Sequence, residues 1–413
     1  MIARKISWVV MVLLLLQTAN AQKNPATGAW FGNLLREDGK QIRFHFDLKT
    51  ENQKTVMYII NAAEKIRVDK IRFSADSVWI DMPVFESYFR AKRISEQRWE
   101  GSWTSAGSAQ WSVMPFVAET QATVSAPALA PAVTDLSGKW AVTLTRPNGT
   151  TRPAIGDWQQ KGNVLRGTIL APSGDYRYLT GYVSGDELQL STFDGSHAFL
   201  FTAKINSANQ ISGGMFYSGA TGKEPWVAER NENASLPDAA AVFMKEGEDR
   251  LRFRFRGLDK QWVSINDARF KNKVVVIQIM GSWCPNCMDE TAFLSEYYRK
   301  NKQRGVEVIG LAYEYSTDFE RSRSSLRKFK DRFQVQYPLL ITGVTVSDTL
   351  RTEKTLPQLT PIKAFPTTIF IGKDGKVAKI KAGFKGPGAG AYHEELKKEF
   401  AATIDQLLKT PVK

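Results

Sequence analysis

Cys284 and Cys287 are the two cysteines of this 413-residue chain, and two residues separate them. That spacing closes a small redox disulfide. An apolar run over 274–280, typical of a strand, precedes the pair, and a helical pattern follows it. At a helix start, unpaired N–H groups and the positive end of the helix dipole favour a thiolate, the form that attacks disulfides. The sequence therefore predicts thiol–disulfide chemistry at a strand-to-helix junction, with Cys284 as the attacking thiol.

Two other uses of a cysteine pair fit this chain poorly. A structural zinc site needs four ligands, and His45, His197 and His393 stand far from the pair in sequence, without metal-ligand spacing. A structural disulfide that closes so short a ring removes little entropy from the unfolded chain. The sequence therefore predicts no metal site and no cofactor, and it favours a redox-active disulfide.

Residues 1–21 have the pattern of a secretory signal peptide. A basic start at Arg4 and Lys5 precedes an apolar run over 8–16 that is too short to span a bilayer, and Ala19-Asn20-Ala21 provides a cleavage pattern. We therefore expect a mature protein that is exported to the periplasm, soluble there, and without a nucleic-acid partner. Because such a chain avoids structural disulfides where they are permitted, its single cysteine pair is expected to be active.

The mature chain divides into three segments joined by two linkers. Residues 117–133 are rich in Ala, Pro, Thr and Ser, and residues 231–241 form a second stretch without apolar periodicity. The predicted organisation is a signal peptide at 1–21, a β module at 22–116, a linker at 117–133, a second β module at 134–230, a linker at 231–241 and an α/β domain at 242–413.

The two β modules have the sequence pattern of an internal repeat. A shift of 110 residues places Trp30 on Trp140 and Phe89 on Phe199. Both segments alternate apolar and polar residues over short runs that end in turn residues, which predicts antiparallel β sandwiches or small barrels. Their many tryptophans are expected in the core and in cross-strand pairs, while a groove for a glycan, lipid or protein ligand is the alternative.

The C-terminal segment alternates strand and helix patterns, which predicts an α/β sheet. Strands are expected at 274–280, 306–313, 367–372 and 377–381, and helices are expected after Cys284, over 318–334 and over 392–408. The expected fold class is thus multidomain, with two repeated antiparallel all-β modules followed by one α/β domain.

Residues from about 255 to 408 resemble thioredoxin-fold domains of the TlpA/ResA type, the membrane-facing thiol–disulfide oxidoreductases of bacterial envelopes. The family's W-C-x-x-C motif falls on residues 283–287, its acidic residue on the active-site helix falls on Glu290, and its cis-proline loop falls on 365–367. The resemblance implies protein disulfides as substrates and a membrane thiol as electron donor. The residues that it implies for substrate contact are Trp283, Phe365, Pro366 and Thr367.

One departure from thioredoxin concerns proton handling. Thioredoxin has a buried aspartate six residues before its first cysteine, and this chain has Gln278 there, which does not ionise. Glu290, one helical turn beyond Cys287, is therefore predicted to exchange a proton with the resolving thiol, and a solvent-exposed helix acid is the alternative. Glu314, just after the second predicted strand, is a further candidate because strand ends carry site residues in such sheets.

The dipeptide between the cysteines bears on the direction of electron flow. Reductases of this type often have proline second, whereas Pro285 comes first here, as in periplasmic oxidases. Asn286 lacks the charge of the histidine in those oxidases, so a disulfide reductase whose β modules recruit a partner is favoured. Two alternatives stay open: an oxidase that uses the same couple, and an envelope binding protein with a redox-sensitive thioredoxin-like domain.

Overall fold

Three β-sheets organise the chain in the computed structural model, which describes residues 25–107, 110–124, 128–238 and 241–411. Two nine-stranded sheets are antiparallel, and the third is a seven-stranded mixed sheet. The expected fold class, two all-β modules followed by an α/β domain, is confirmed. The predicted signal peptide at 1–21 lies outside the described residues. Within the described ranges, no helix has the length and apolarity needed to cross a membrane.

Module 1 is an open antiparallel sheet. Its strands are β1 Gly28–Leu35, β2 Gln41–Glu51, β3 Lys54–Asn61, β4 Glu64–Val68, β5 Ile71–Phe73, β6 Ser77–Asp81, β7 Ser87–Ser95, β8 Arg98–Ser105 and β9 Ser112–Thr120. Their order is β4-β3-β2-β1-β9-β8-β7-β6-β5, so β4 and β5 are the edges. Every second residue of β2 from Ile42 to Leu48 is buried, as expected of a strand with one face on a core. Strand β9 runs four residues into the stretch predicted as the linker 117–133.

Module 2 is the same unit closed into a barrel. Its strands are β10 Gly138–Thr145, β11 Thr151–Lys161, β12 Val164–Ala171, β13 Gly174–Asp175, β14 Leu179–Ser184, β15 Glu187–Phe193, β16 Ala198–Ser207, β17 Gln210–Ser218 and β18 Gly222–Arg230. Strand β12 pairs with both β11 and β14, so the sheet returns on itself and leaves no free edge in the ring.

The predicted repeat is visible in equivalent contacts. Trp30 and Trp140 are both buried, and each donates its indole Nε1–H to the carbonyl oxygen four residues earlier, Ala26 O and Leu136 O, at 2.9 Å. Four other tryptophans of the modules are buried, Trp99, Trp103, Trp158 and Trp226, whereas Trp111 is 48% exposed. Core packing is therefore the main use of tryptophan in both modules.

The α/β domain is a mixed sheet flanked by helices. Its strands are β19 Arg254–Gly257, β20 Trp262–Ser264, β21 Val274–Met280, β22 Val306–Ala312, β23 Leu339–Ile341, β24 Thr367–Ile371 and β25 Val377–Ala382, and its helices are α1 Pro285–Asn301, α2 Phe319–Phe333, α3 Arg351–Thr355 and α4 Ala391–Lys409. The sheet order is β20-β19-β23-β22-β21-β24-β25. Every residue of β21 is buried, which explains its continuous apolar sequence.

Both modules pack against each other and against the α/β domain. Phe193 of module 2 lies in the core of module 1, with its ring centroid 4.4 Å from that of Phe44. The side-chain amide of Asn61 donates to Phe193 O at 2.8 Å and accepts from Phe193 N at 3.2 Å. Val84 and Phe85 of module 1 are buried in the core of the α/β domain. The three units are thus joined by apolar contacts as well as by linkers.

Candidate active site

The cysteine pair lies where β21 gives way to α1. Cys284 is the N-cap of α1, and its Sγ accepts a hydrogen bond from Cys287 N at 3.1 Å. The two residues form a disulfide, with Cα atoms 5.2 Å apart. Cys284 is 4% exposed and Cys287 is fully buried. The strand-to-helix position predicted for the pair is therefore present, and the N–H that reaches Cys284 Sγ would stabilise a thiolate there.

The loop before β24 faces the nucleophile. The peptide bond between Phe365 and Pro366 is cis, and Phe365 O lies 3.6 Å from Cys284 Sγ. Thr367 is fully buried, and its hydroxyl donates to Ala364 O at 2.8 Å. Its side chain therefore supports the loop from behind, and Phe365 is the loop residue that contacts Cys284.

Trp283 forms an aromatic wall beside Cys284. Its indole Nε1–H donates to Tyr313 O at 2.8 Å, which fixes the orientation of the ring. The ring stacks on Tyr315, with centroids 5.4 Å apart, and meets the ring of Phe365 edge-on at 5.5 Å. The predicted pair Trp283 and Phe365 thus forms one continuous apolar surface next to the sulfur.

Glu290 is a buried acid, which excludes the alternative of a solvent-exposed helix residue. It is 2% exposed, and its Oε1 accepts a hydrogen bond from the Thr368 hydroxyl. Burial raises the pKa of Glu290 to about 7, although hydrogen bonds from Thr368 and Gln278 oppose the rise. Glu290 also lines a cavity of about 10 Å³, which is room for about one water molecule. A carboxyl group with such a pKa can both accept and return a proton near neutral pH.

Gln278 and Glu314 hold the backbone on either side of the cysteines. Gln278 donates from Nε2 to Cys287 O at 3.2 Å, so it anchors the first turn of α1 to β21. Glu314 accepts from Ser282 N at 2.8 Å and from Ser282 Oγ at 2.5 Å. Burial raises the pKa of Glu314 to about 7, and the bonds from Ser282 oppose the rise. Glu314 therefore positions the loop that carries Trp283.

Module 2 supplies the wall opposite the cysteines, which the sequence did not predict. A cleft of about 200 Å³ separates the two domains at this point. Module 2 contributes Arg152, Tyr176, His197 and Phe199 to its lining, and the α/β domain contributes Cys284 and Phe365. The imidazole of His197 stacks on the ring of Phe199, with centroids 4.6 Å apart. His197, which was dismissed as a metal ligand, thus lies in the same cleft as the nucleophile.

Arg177 ties module 2 and module 1 to the first turn of α1. Its guanidinium donates through Nη1 to Pro285 O at 3.2 Å and to Asp289, and through Nη2 to Glu64. Burial raises the pKa of Asp289 to about 7, although the charge of Arg177 opposes the rise. These partners are 108 to 113 positions away in the chain, so no local pattern marks Arg177.

Two further hydrogen bonds fix module 2 at the rim of the cleft. Ser196 Oγ donates to Trp283 O at 3.0 Å, immediately before the nucleophile. Gly386 N donates to Asp175 Oδ2 at 2.6 Å, between the loop after β25 and the turn that holds Arg177. Together with Arg177, they attach module 2 on both sides of the cysteines.

Comparisons with known proteins concern the α/β domain. A family model described as the AhpC/TSA family matches residues 247–380. Proteins named thiol-disulfide oxidoreductase ResA are 28% identical over 134 residues in Bacillus thuringiensis subsp. konkukian and 24% identical over 140 residues in Bacillus subtilis. These alignments cover 32% and 34% of this chain and 68% and 69% of the relatives.

Solved structures match the same part of the chain. A thiol-disulfide oxidoreductase from Bacteroides fragilis aligns with a TM-score of 0.28 and 16% identity, over 36% of this chain and 99% of that one. A DsbF homologue from Corynebacterium diphtheriae aligns with a TM-score of 0.29 and 22% identity, over 41% of this chain and 97% of that one.

The ResA relatives bear on two predictions. The resemblance of the C-terminal domain to the TlpA/ResA type is confirmed, and so is the enzyme class, thiol–disulfide oxidoreductase.

Proposed function

We propose that this chain is an exported, periplasmic thiol–disulfide oxidoreductase that reduces protein disulfides with the Cys284/Cys287 dithiol. The observation that carries the proposal is the N-cap position of Cys284, whose Sγ accepts from Cys287 N at 3.1 Å beside Phe365 and Pro366. A sulfur at that position has the donor that a thiolate needs and an adjacent backbone edge for an incoming peptide.

The first step is attack on the substrate disulfide. The Cys284 thiolate forms a bond to one substrate sulfur, the substrate S–S bond breaks, and the second substrate sulfur leaves as a thiolate that takes up a proton. Cys284 and the attacked substrate sulfur are then joined in a mixed disulfide between enzyme and substrate. Trp283 and Phe365 supply apolar surface against which the substrate chain next to its cysteine can pack.

The second step resolves the mixed disulfide. Cys287 loses its proton and attacks Cys284 Sγ, and the remaining substrate sulfur leaves as a thiolate and is protonated. Glu290 is the acceptor that we assign to the Cys287 proton, because it lies one turn further along α1 with a pKa of about 7. Two electrons and two protons pass to the substrate, and the enzyme ends as the Cys284–Cys287 disulfide.

Return to the dithiol requires a membrane thiol donor, which supplies two electrons and two protons by the same exchange in reverse. The β modules are proposed to hold the partner protein next to the cysteines, which raises its effective concentration there. A protein, glycan or lipid of the envelope is the ligand class proposed for the modules.

Substitution of each cysteine tests the assigned roles. Cys284→Ser should abolish disulfide reduction, because it removes the attacking sulfur. Cys287→Ser should still attack but should accumulate a mixed disulfide through Cys284, detectable as a mass increase that dithiothreitol removes. A mixed disulfide that forms in Cys284→Ser and not in Cys287→Ser would reverse the roles. An enzyme that oxidises dithiol proteins faster than it reduces disulfides would favour the oxidase alternative.

A further inference from the structure

Cys284 opens into a cleft with a wall on each side, not onto a free surface. One wall is the α/β domain itself, and the other is module 2. A binding pocket for a drug-sized ligand has a volume of about 300–1,000 Å³. The cleft, at about 200 Å³, is smaller than that range. A volume of this size has room for a cysteine side chain and a short length of its backbone.

Building on the proposed function, we propose that module 2 restricts Cys284 to disulfides on narrow, flexible carriers. The carrier is no wider than one extended peptide strand, so its disulfide belongs either to an unfolded polypeptide or to a small molecule. Both share the required chemistry, an S–S bond that is not shielded by surrounding structure. Folded proteins with surface disulfides are excluded by shape.

The wall is held in place by contacts on both sides of the nucleophile. Ser196 donates to Trp283 O, and Arg177 donates to Pro285 O, so module 2 is bonded to the residues immediately before and after Cys284. Asp175 accepts from Gly386 N at the far side of α1. Opening the cleft would break all three contacts and would separate the buried guanidinium of Arg177 from Asp289. A closed cleft is therefore the form that substrate meets.

The lining selects by width more than by charge. Both arginines that line the cleft are paired, Arg152 with Glu224 at 2.7 Å and Arg177 with Asp289 and Glu64. The remaining surface includes the rings of Tyr176, Phe199, Trp283 and Phe365. Such a lining packs against a peptide backbone or a compact disulfide without requiring a particular charge on it.

The electron balance is that of the proposed reaction. The carrier's S–S bond breaks, Cys284 and Cys287 become a disulfide, and the two carrier sulfurs leave as thiols with two electrons and two protons from the enzyme. A single turnover of the reduced enzyme needs no further reductant, so the carrier can be varied alone.

Single-turnover rates with three carriers test the restriction. Full-length reduced protein is mixed with oxidised glutathione, with a short unstructured peptide disulfide, and with a folded protein that displays the same disulfide on its surface. We expect the folded carrier to react at least about tenfold more slowly than the peptide. The ratio between glutathione and the peptide shows which source the cleft prefers. Equal rates for the folded carrier and the peptide would overturn the proposal.

A blocking variant tests whether the cleft is the route. Ser173 is exposed and lines the cleft, so Ser173→Trp should fill it and slow both flexible carriers at least about tenfold. Ser207, exposed at the end of β16 in module 2, gives the matched control Ser207→Trp, which should keep wild-type rates. An unchanged rate in a folded Ser173→Trp variant would show that substrate arrives by another path.

Alkylation of Cys284 tests whether module 2 restricts access to this residue, independently of the proposed reductase activity. In the reduced wild-type protein, iodoacetamide should label Cys284 readily, whereas a maleimide attached to a folded protein should label it at least about tenfold more slowly. This discrimination does not depend on disulfide exchange. If no carrier is reduced but labelling still discriminates by size, the proposed function fails and the restricted cleft stands. Equal labelling rates for iodoacetamide and the protein-linked maleimide would overturn the proposal that module 2 restricts access to Cys284.

Discussion

The two β modules carry the same loop in two different roles. A shift of 110 residues places residues 83–87 of module 1 on residues 193–197 of module 2, and in both modules the loop reaches the α/β domain. In module 1 it inserts Phe85 into the core, and Glu86 pairs with Arg321 of α2 at 2.9 Å. In module 2 it places His197 in the cleft and bonds Ser196 to Trp283. One copy of a repeated unit thus serves attachment, and the other forms part of the reactive cleft.

The barrel closure explains why only module 2 forms the opposite wall. In module 1, β4 continues from β3 as an edge strand, and the sheet stays open. In module 2, the equivalent stretch is the short β13, after which the chain turns through Arg177 so that β14 can pair with β12. Arg177 has a φ of +57°, the left-handed conformation of a tight turn, and this turn is the one that meets Pro285.

The largest effect should come from the module 2 turn. Arg177→Met would leave the partly buried Asp289 and Glu64 without their cation, which should lower the free energy of unfolding by about 3–5 kcal/mol. It should also abolish size discrimination at Cys284, because the wall loses its attachment to Pro285. Denaturant titration and alkylation measure the two effects. Arg166→Met, at an exposed position of β12, is the control. Wild-type stability in Arg177→Met would show that Arg177 does not attach module 2 to α1.

The module 1 loop should affect stability without affecting reactivity. Phe85 is 4% exposed, so Phe85→Ala should cost about 3 kcal/mol of unfolding free energy through the cavity it leaves. The alkylation rate of Cys284 in the folded variant should stay at the wild-type value. Ile94→Ala, at a position that is 54% exposed, is the control for a deleted apolar side chain. A changed Cys284 rate would mean that the two loops do not have separate roles.

Substitution of Glu290 tests whether the proton of Cys287 is transferred within the α/β domain and not to module 2. Its pKa is about 7 in the folded chain against 4.5 as a free side chain, so the folded state holds the proton more tightly. The Glu290 carboxyl group therefore contributes up to about 3 kcal/mol to the free energy of unfolding below about pH 4.5. This contribution is lost as the pH rises through 7. The free energy of unfolding of Glu290→Gln should therefore not show this fall with pH. The pH–rate profile of its resolving step should also lack the inflection near pH 7.

Stability and single-turnover rates measured from pH 5 to 8 check the Glu290 prediction. Glu296→Gln, an exposed acid on the same helix, should leave both profiles as in the wild type. Identical pH profiles for wild type and Glu290→Gln would place proton transfer elsewhere.

The smallest effect should come from one rim contact. Ser196→Ala removes the hydrogen bond to Trp283 O and should cost about 1 kcal/mol of unfolding free energy. Because Arg177 and Asp175 still hold module 2, we expect the reaction with folded carriers to accelerate only about two- to threefold. Ser207→Ala is the control. A loss of discrimination as complete as in Arg177→Met would make Ser196 the main attachment.

Local patterns predicted the long helices and four of the strands of the α/β domain, because these elements depend on nearby residues, whereas the short elements β19, β20, β23 and α3 were not expected. A strand was expected over 274–280 and is β21, and a helix was expected over 318–334 and is α2 with Asp318 and Gln334 as its caps. The buried state of Glu290 was left open, since burial depends on Thr368 and on the packing of α4, which the helix pattern does not contain.

The cleft could not be predicted from such patterns. Its module 2 wall depends on how two separate sheets meet, and the contacts that fix it join residues more than 80 positions apart. The sequence contains one signal of the cleft, His197 in the turn after β15, and its lack of metal-ligand spacing does not indicate a role at the cysteines. Interdomain sites of this kind become visible when the repeat is aligned and its two loops are compared.

One competition experiment tests the central claim most directly. Full-length Cys287→Ser, reduced, is offered equal amounts of an unstructured peptide disulfide and a folded protein with a surface disulfide, and the trapped adduct is identified by mass spectrometry. We predict an adduct through Cys284 in which the peptide is the dominant partner. An adduct dominated by the folded protein, or no adduct at all, would contradict the account of Cys284 as a nucleophile behind a module 2 wall.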